Sequence, residues 1–171
     1  MKHAVAFLLL AAPALGQNQP ATAASACGPK DVIFDVKQDN SQHTLAQPES
    51  GKALVYIIQE RGIECGPGGV CITKVGLDGV WAGAFKNNSY FPVSVEPGEH
   101  HMCANIQVGG GLGELKGFAH FVAEAGKVYF FRMYADRFEN FPAILDINPS
   151  DSDEAKYLIA TSPLSVSRPR K

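Results

Sequence analysis

Short apolar segments separated by turn residues recur about every 8–12 residues along most of this chain, and this spacing most constrains its fold. Within the segments the apolar residues follow a strand-like rather than a helical period. The predicted strands are residues 32–36, 52–59, 70–75, 80–85, 90–95, 100–108, 117–124 and 127–134. Such a series predicts a mainly β protein, a β-sandwich of about seven to nine strands.

Turn residues support this prediction. Glycine and proline account for 17 and 11 of the 171 residues, a share that is typical of a turn-rich protein. Asp78-Gly79 separates two predicted strands and is a common hairpin-turn sequence, and Pro97-Gly98 precedes another strand. The segment Ala53–Ile58 is apolar on both faces, which predicts a central strand of a packed sheet.

One segment near the C-terminus has a helical pattern. Ser150 and Asp153 have the spacing of a capping pair, and acidic residues crowd the first turn, where the helix dipole favours them. We expect a short helix near residues 151–160, with the side that carries Tyr157 and Leu158 lying on the sandwich. The basic residues 162–171 that follow are expected to form a disordered tail.

Residues 1–16 have the composition of a secretory signal peptide, with a polar start, a short apolar run and small residues before the expected cleavage position. Residues 17–29 are rich in Ala, Gln and Pro, which predicts a flexible leader before a single domain at residues 30–161. We therefore expect an exported protein, periplasmic or extracellular. A lipid anchor at Cys27 is the minority alternative, because Cys27 follows small residues but lies far beyond the apolar run.

All four cysteines lie beyond the signal peptide, and an even number in an exported chain predicts disulfide bonds. Cys65 and Cys71 flank a loop rich in glycine, so we expect a local bond between them. This leaves Cys27 and Cys103 for a long-range bond, which would stabilise the fold by about 3–5 kcal/mol. The spacing of Cys65 and Cys71 differs from that of ordinary zinc sites, which disfavours a metal site there.

The charge balance argues against nucleic acid as a partner. The formal net charge is −2, with 19% charged residues, so no strongly basic surface is expected. No segment approaches the ~20 apolar residues of a transmembrane helix. The length suits one compact core.

The sequence His100-His101-Met102-Cys103 is the sharpest candidate for chemistry. On a strand, His100 and Met102 share one face, while His101 and Cys103 share the other. His100 and Met102 offer an imidazole and a thioether to copper, but two ligands do not complete a site, so we assign no metal and no cofactor. Cys103 activated by His101 or His120 would be a nucleophile, but export favours oxidation of this thiol.

Aromatic residues are frequent in the predicted strands, and a sandwich of this size needs most of them in its core. Trp81 is set apart because it follows the Asp78-Gly79 turn, at a loop end that would suit contact with a glycan or a peptide. Trp81, His100 and His101 are therefore the candidate residues for contact with a ligand or partner.

Five segments of the core carry a family resemblance: Gly51–Tyr56, Gly76–Gly79, Ser89–Phe91, Val95–His100 and Ala123–Phe130. In their order and spacing they resemble domain of unknown function 2846 (DUF2846), a bacterial family of exported and lipoprotein β-domains. Pro97-Gly98-Glu99-His100 is also similar to the Pro-Gly-x-His turn of PEGA-type modules. The resemblance implies an immunoglobulin-like or prealbumin-like sandwich in the cell envelope, with no assigned reaction and no catalytic residues.

These observations predict a non-catalytic exported protein, a binding or structural module of the cell envelope. Its partner is expected to be another envelope protein or a glycan polymer, met through strand edges or loop ends. The alternative is a small periplasmic protein that binds copper or zinc, or an enzyme, centred on His100–Cys103. The sequence leaves the oligomeric state open.

Overall fold

A computed structural model describes residues 26–41, 44–61, 71–107, 114–136 and 144–170. Within these ranges the chain forms ten strands and one helix, which confirms the mainly β prediction with a short C-terminal helix. The elements are β1 (Phe34–Asp39), β2 (Ala53–Arg61), β3 (Ile72–Leu77), β4 (Val80–Lys86), β5 (Ser89–Val95), β6 (Gly98–Gln107), β7 (Glu114–Ala123), β8 (Val128–Asp136), β9 (Ile144–Pro149), α1 (Ser152–Thr161) and β10 (Leu164–Pro169).

The strands form two sheets that pack face to face. The six-stranded sheet has the order β1-β10-β5-β2-β8-β9, and the four-stranded sheet has the order β4-β3-β6-β7. Most neighbours are antiparallel, whereas β2 with β8 and β10 with β5 are parallel. The arrangement is sandwich-like, with ten strands rather than seven to nine, because β9 and β10 add to the eight that the sequence predicted.

Strand β2 is central, as its two apolar faces predicted, and lies between β5 and β8. Ala53, Val55 and Ile57 point into the core between the sheets. Leu54, Tyr56 and Ile58 point outward, where the helix covers them. Apolar side chains on both faces of one strand therefore give the sandwich a third layer, α1, over the six-stranded sheet.

The helix begins one residue later than expected and has a different cap. Asp151 is the N-cap, and its Oδ1 accepts hydrogen bonds from the backbone nitrogens of Asp153 at 2.8 Å and Glu154 at 3.4 Å. Ser150 instead donates through its hydroxyl to Glu154 Oε2 at 2.9 Å. The predicted cap residue was therefore wrong, because an Asp one position later reaches the free amides of the first turn.

The buried face of α1 agrees with the prediction at Leu158, which packs against the six-stranded sheet, but not at Tyr157. Ala155 and Ile159 are buried against the six-stranded sheet. Tyr157 is 68% exposed, and Leu158 is half-buried. Ala155 and Ile159 define the contact face of the helix, since residues i and i+4 lie on the same side of a helix.

Residues 162–171 were predicted as a basic disordered tail, and this was wrong. Leu164–Pro169 is strand β10, which pairs with β1 along its whole length. Its polarity is the reverse of a typical strand, because Ser165 is buried while Val166 is 51% exposed. Ser165 donates to the Ala84 carbonyl at 2.7 Å and Ser167 accepts from the Ala84 nitrogen at 2.9 Å, so β10 links the two sheets.

Of the leader predicted at residues 17–29, the structure describes only residues 26–29, and these contact the four-stranded sheet instead of extending freely. Residues 26–32, called the N-terminal segment below, lie on the outer face of the four-stranded sheet. Ala26 is fully buried, and its carbonyl accepts from the Gly79 nitrogen at 3.1 Å. Gly76 makes room for this contact, because a side chain at this position would collide with the Ala26 carbonyl.

The predicted hairpin turn at Asp78-Gly79 is present. Leu77 pairs with Val80, which leaves a two-residue loop between β3 and β4. Asp78 has φ 50° and Gly79 has φ 87°. Both are left-handed, as the tight hairpin turns of twisted strands require, and Asp-Gly is among the sequences that accept this backbone.

The predicted signal peptide lies outside the described residues. Among the residues that are described, no helix is long and apolar enough to cross a membrane.

Candidate functional site

The predicted cluster His100–Cys103 lies in β6, between β3 and β7. Met102 is fully buried in the core between the sheets. His100 lies on the same side, with its ring centroid 5.3 Å from that of Phe121. His101 and Cys103 lie on the opposite, outer face, as the strand period predicted.

Both ring nitrogens of His100 are engaged. Nδ1 lies 2.6 Å from Asp78 Oδ2, and Nε2 lies 2.7 Å from the carbonyl oxygen of Glu96. Neither nitrogen is left to bind a metal ion, and Met102 has no surface exposure. The copper pair considered from the sequence therefore has no open ligand position. His100 instead connects the Asp78-Gly79 turn and the turn at Glu96 to β6.

Asp78 also holds the backbone of His101, the residue that follows His100. Its Oδ1 accepts from the His101 nitrogen at 2.8 Å, and its own nitrogen donates to the His101 carbonyl at 3.0 Å. The polar backbone groups of His101 therefore point toward β3 and away from β7. His101 and its register partner His120 on β7 form a non-hydrogen-bonded pair, the kind in which facing side chains come closest.

Glu99, His101 and His120 come together on this outer face. Glu99 Oε1 lies 2.9 Å from His120 Nε2 and 3.6 Å from His101 Nε2. The two imidazole centroids are 5.0 Å apart. Among the described residues these three form a group whose ligand atoms all lie within 4.8 Å of one another.

Sequence analysis named Glu99 only as part of the Pro97-Gly98-Glu99-His100 turn and considered His120 only as a partner for Cys103. Part of this group could have been predicted from the sequence, because Glu99 and His101 are two residues apart and must share a face of a strand. The position of His120 beside them depends on the register of β6 against β7, which no local sequence pattern specifies.

Cys103 is bonded to Cys27, with their Cα atoms 5.1 Å apart. The long-range disulfide is therefore present, and Cys103 has no thiolate for nucleophilic chemistry. The same bond uses the sulfur that a lipid anchor at Cys27 would require. Cys71 is buried and is not a free thiol, while its expected partner Cys65 lies outside the described residues.

Trp81 contacts the chain's own N-terminal segment. Its Nε1 donates to the Pro29 carbonyl at 2.7 Å, and Gly28 lies so close to the ring that a side chain there would overlap it. The Lys74 ammonium lies 4.6 Å from the ring centroid. Burial lowers the pKa of Lys74, whose ammonium also donates to the Lys30 and Val32 carbonyls. This indole therefore holds the N-terminal segment in place.

A polar cleft opens on the outer face of the six-stranded sheet, beside the start of α1. It has a volume of about 500 Å³ and is called the β8–β9 cleft below. Its lining residues are Arg132, Tyr134, Asp146, Asn148, Pro149 and Glu154. Sequence reasoning missed it, because β9 was not predicted and the cleft exists only where β9 meets β8.

The register of β8 and β9 builds the floor of the cleft. Arg132 is opposite Asn148, and Tyr134 is opposite Asp146. The alternate residues of β9, Leu145 and Ile147, are buried in the core. These four side chains, two from each strand, therefore face the cleft, while the residues that alternate with them are buried and hold both strands in the core.

Arg132 is held between two carboxylates. Its Nη2 lies 2.8 Å from Glu60 Oε2 on β2, and its Nη1 lies 2.5 Å from Glu154 Oε1 on α1. The guanidinium thus ties the helix to the sheet and sets the wall of the cleft. Because both carboxylates are paired with one cation, and Asp146 adds a further negative charge, the cleft has no excess of positive charge.

A family model described as "Protein of unknown function (DUF2846)" matches residues 49–142, more than half of the chain. The chain belongs to the DUF2846 family. No curated protein and no solved structure gives a match. The DUF2846 match runs from the turn before β2 to beyond β8. It includes Glu99, His101 and His120, and it includes the β8 side of the cleft but not its β9 and α1 side.

Proposed function

We propose that this DUF2846 protein is an exported, non-catalytic module of the cell envelope that binds a glycan polymer in the β8–β9 cleft. The observation that carries the proposal is the side-chain set of the cleft, an aromatic ring beside a carboxylate, an amide and a guanidinium. Export is supported by the composition of residues 1–16 and by the Cys27–Cys103 disulfide, since disulfides persist in oxidising compartments.

The chemistry of the cleft suits a sugar. A pyranose ring presents a C–H face that packs on an aromatic ring, and Tyr134 supplies that ring. Its hydroxyl groups donate and accept, and Asp146, Asn148 and Arg132 offer acceptors and donors around the ring. Since the cleft carries no excess positive charge, we expect a neutral glycan rather than an acidic one.

A binding role without catalysis is supported by the bonds that the candidate reactive side chains already make. Cys103 is in a disulfide and His100 is hydrogen-bonded through both nitrogens. In the cleft, Glu154 is ion-paired with Arg132 and accepts from Ser150. These groups are positioned to hold the fold and a ligand.

Co-sedimentation with an insoluble envelope polysaccharide fraction tests the proposal. The wild-type chain is expected to sediment with the polymer, and Asp146→Ala/Asn148→Ala is expected to weaken binding at least about tenfold, because each lost hydrogen bond to a ligand costs on the order of 1 kcal/mol. Both positions are exposed, so the fold should tolerate the change.

Asn88→Ala is the matched control, since Asn88 is an exposed asparagine in the turn between β4 and β5. Absence of sedimentation by the wild-type chain, or equal sedimentation of all three proteins, would refute the cleft as a glycan site. Crosslinking in intact envelopes that captures one protein through the cleft would instead show a protein partner and overturn the glycan assignment.

A further inference from the structure

A second site lies on the opposite sheet and is independent of the glycan proposal. We propose that Glu99, His101 and His120 bind one divalent transition-metal ion of the Zn²⁺ class. Two imidazoles and a carboxylate are the ligands that such ions prefer.

The ligand atoms already converge. Glu99 Oε1 lies 2.9 Å from His120 Nε2 and 3.6 Å from His101 Nε2, so the three atoms form a compact triangle. A bound ion requires Zn–N and Zn–O distances of about 2.0–2.2 Å, so small side-chain rotations around a common centre suffice. All three ligand atoms lie within 4.8 Å of one another.

The backbone beneath the group is fixed. Asp78 bonds both polar backbone groups of His101 from the β3 side. Two residues further along the same face, Cys103 is covalently tied to Cys27. Binding therefore orders three side chains and no main chain, which lowers the entropic cost of occupying the site.

The ligand set also selects the kind of ion. Imidazole nitrogens disfavour Ca²⁺ and Mg²⁺, which take oxygen ligands, and the group has no sulfur to favour Cu⁺. Three protein ligands leave at least one position of a tetrahedral ion for water or a group from a partner. The side chains of Glu99 and His120 are 60% and 51% exposed, so that position is reachable from solvent.

The competing interpretation is a surface hydrogen bond between His120 and Glu99. A direct test titrates the disulfide-intact exported chain with Zn²⁺ in competition with a chromophoric chelator, and records the visible absorption of the Co²⁺ form. We expect one Zn²⁺ per chain and the intense d–d bands of four-coordinate Co²⁺. His120→Gln and Glu99→Gln should each weaken Zn²⁺ binding at least about tenfold.

Glu96→Gln is the matched control, because Glu96 is an acid on the adjacent turn that contacts His100 through its carbonyl rather than its side chain. It should bind Zn²⁺ as the wild type does. Less than one Zn²⁺ per chain, or wild-type affinity in both ligand variants, would overturn the site. The cleft variant Asp146→Ala/Asn148→Ala should bind Zn²⁺ normally, so failure of the glycan site and failure of the metal site are separate results.

Discussion

The Cys27–Cys103 disulfide is expected to contribute a large part of the stability of this fold. The two cysteines are separated by 76 residues. In the chain-entropy model a loop of this length lowers the entropy of the unfolded chain by about 15 cal/mol/K, which is about 4.5 kcal/mol at 25 °C. Domains of this size are typically stable by only about 5–15 kcal/mol, so the bond accounts for a substantial share.

Cys27→Ala and Cys27→Ala/Cys103→Ala are the informative variants, compared with the wild type by urea unfolding followed by circular dichroism. Each variant should lose about 4 kcal/mol, a midpoint shift of about 2 M urea. The single variant keeps the buried Cys103 side chain, so equal losses in both would place the effect in the cross-link and not in packing at Cys103. A loss below about 1 kcal/mol in Cys27→Ala would refute the reasoning.

Three further changes test other contacts. Asp78→Ala removes the acceptor for the His101 nitrogen and places alanine at a left-handed φ, so thermal unfolding should show a loss of about 2 kcal/mol, and Asp78→Asn should lose less. Gly117→Ala points a methyl group at the Leu145 carbonyl where β7 meets β9, and chemical denaturation should show a loss of about 1–3 kcal/mol. Hydrogen bonds from the amides of Asp153 and Glu154 lower the pKa of Asp151 below its ordinary 3.8, so this carboxylate stabilises the fold above that pH and the contribution is lost as the pH falls further. Asp151→Asn still caps the helix but does not titrate, so melting curves from pH 7 to about pH 2 should show the wild type losing more than the variant below pH 4; parallel curves would contradict this.

Strand β2 was predicted although it is apolar on both faces, and β9 was not predicted although its buried Leu145 and Ile147 alternate with exposed Asp146 and Asn148. Strand β2 and the Asp78-Gly79 hairpin carry their own local signals. Strand β10 does not, because its serines face inward to hydrogen-bond Ala84 while Val166 faces solvent. A strand that joins two sheets through side-chain hydrogen bonds has no reason to follow the apolar period.

The sites depend on information that lies between strands. The face shared by Glu99 and His101 follows from the sequence, but the position of His120 follows from the register of β7 against β6. The β8–β9 cleft likewise requires Tyr134 to meet Asp146 across two strands. Such pairings come from the packing of the whole core, so they become visible only in three dimensions.

The position of Cys27, before β1, determines how the protein carries mechanical load. Tension applied to the chain on the N-terminal side of Cys27 passes through the disulfide directly to β6 and bypasses the five strands between them. The 76-residue loop would therefore not extend under force, which removes about 250 Å of contour length from any stretching trace. Pulling on the chain before Cys27 would therefore load a covalent bond to an interior strand of one sheet, and a reducing agent would convert that rigid attachment into a long extensible one.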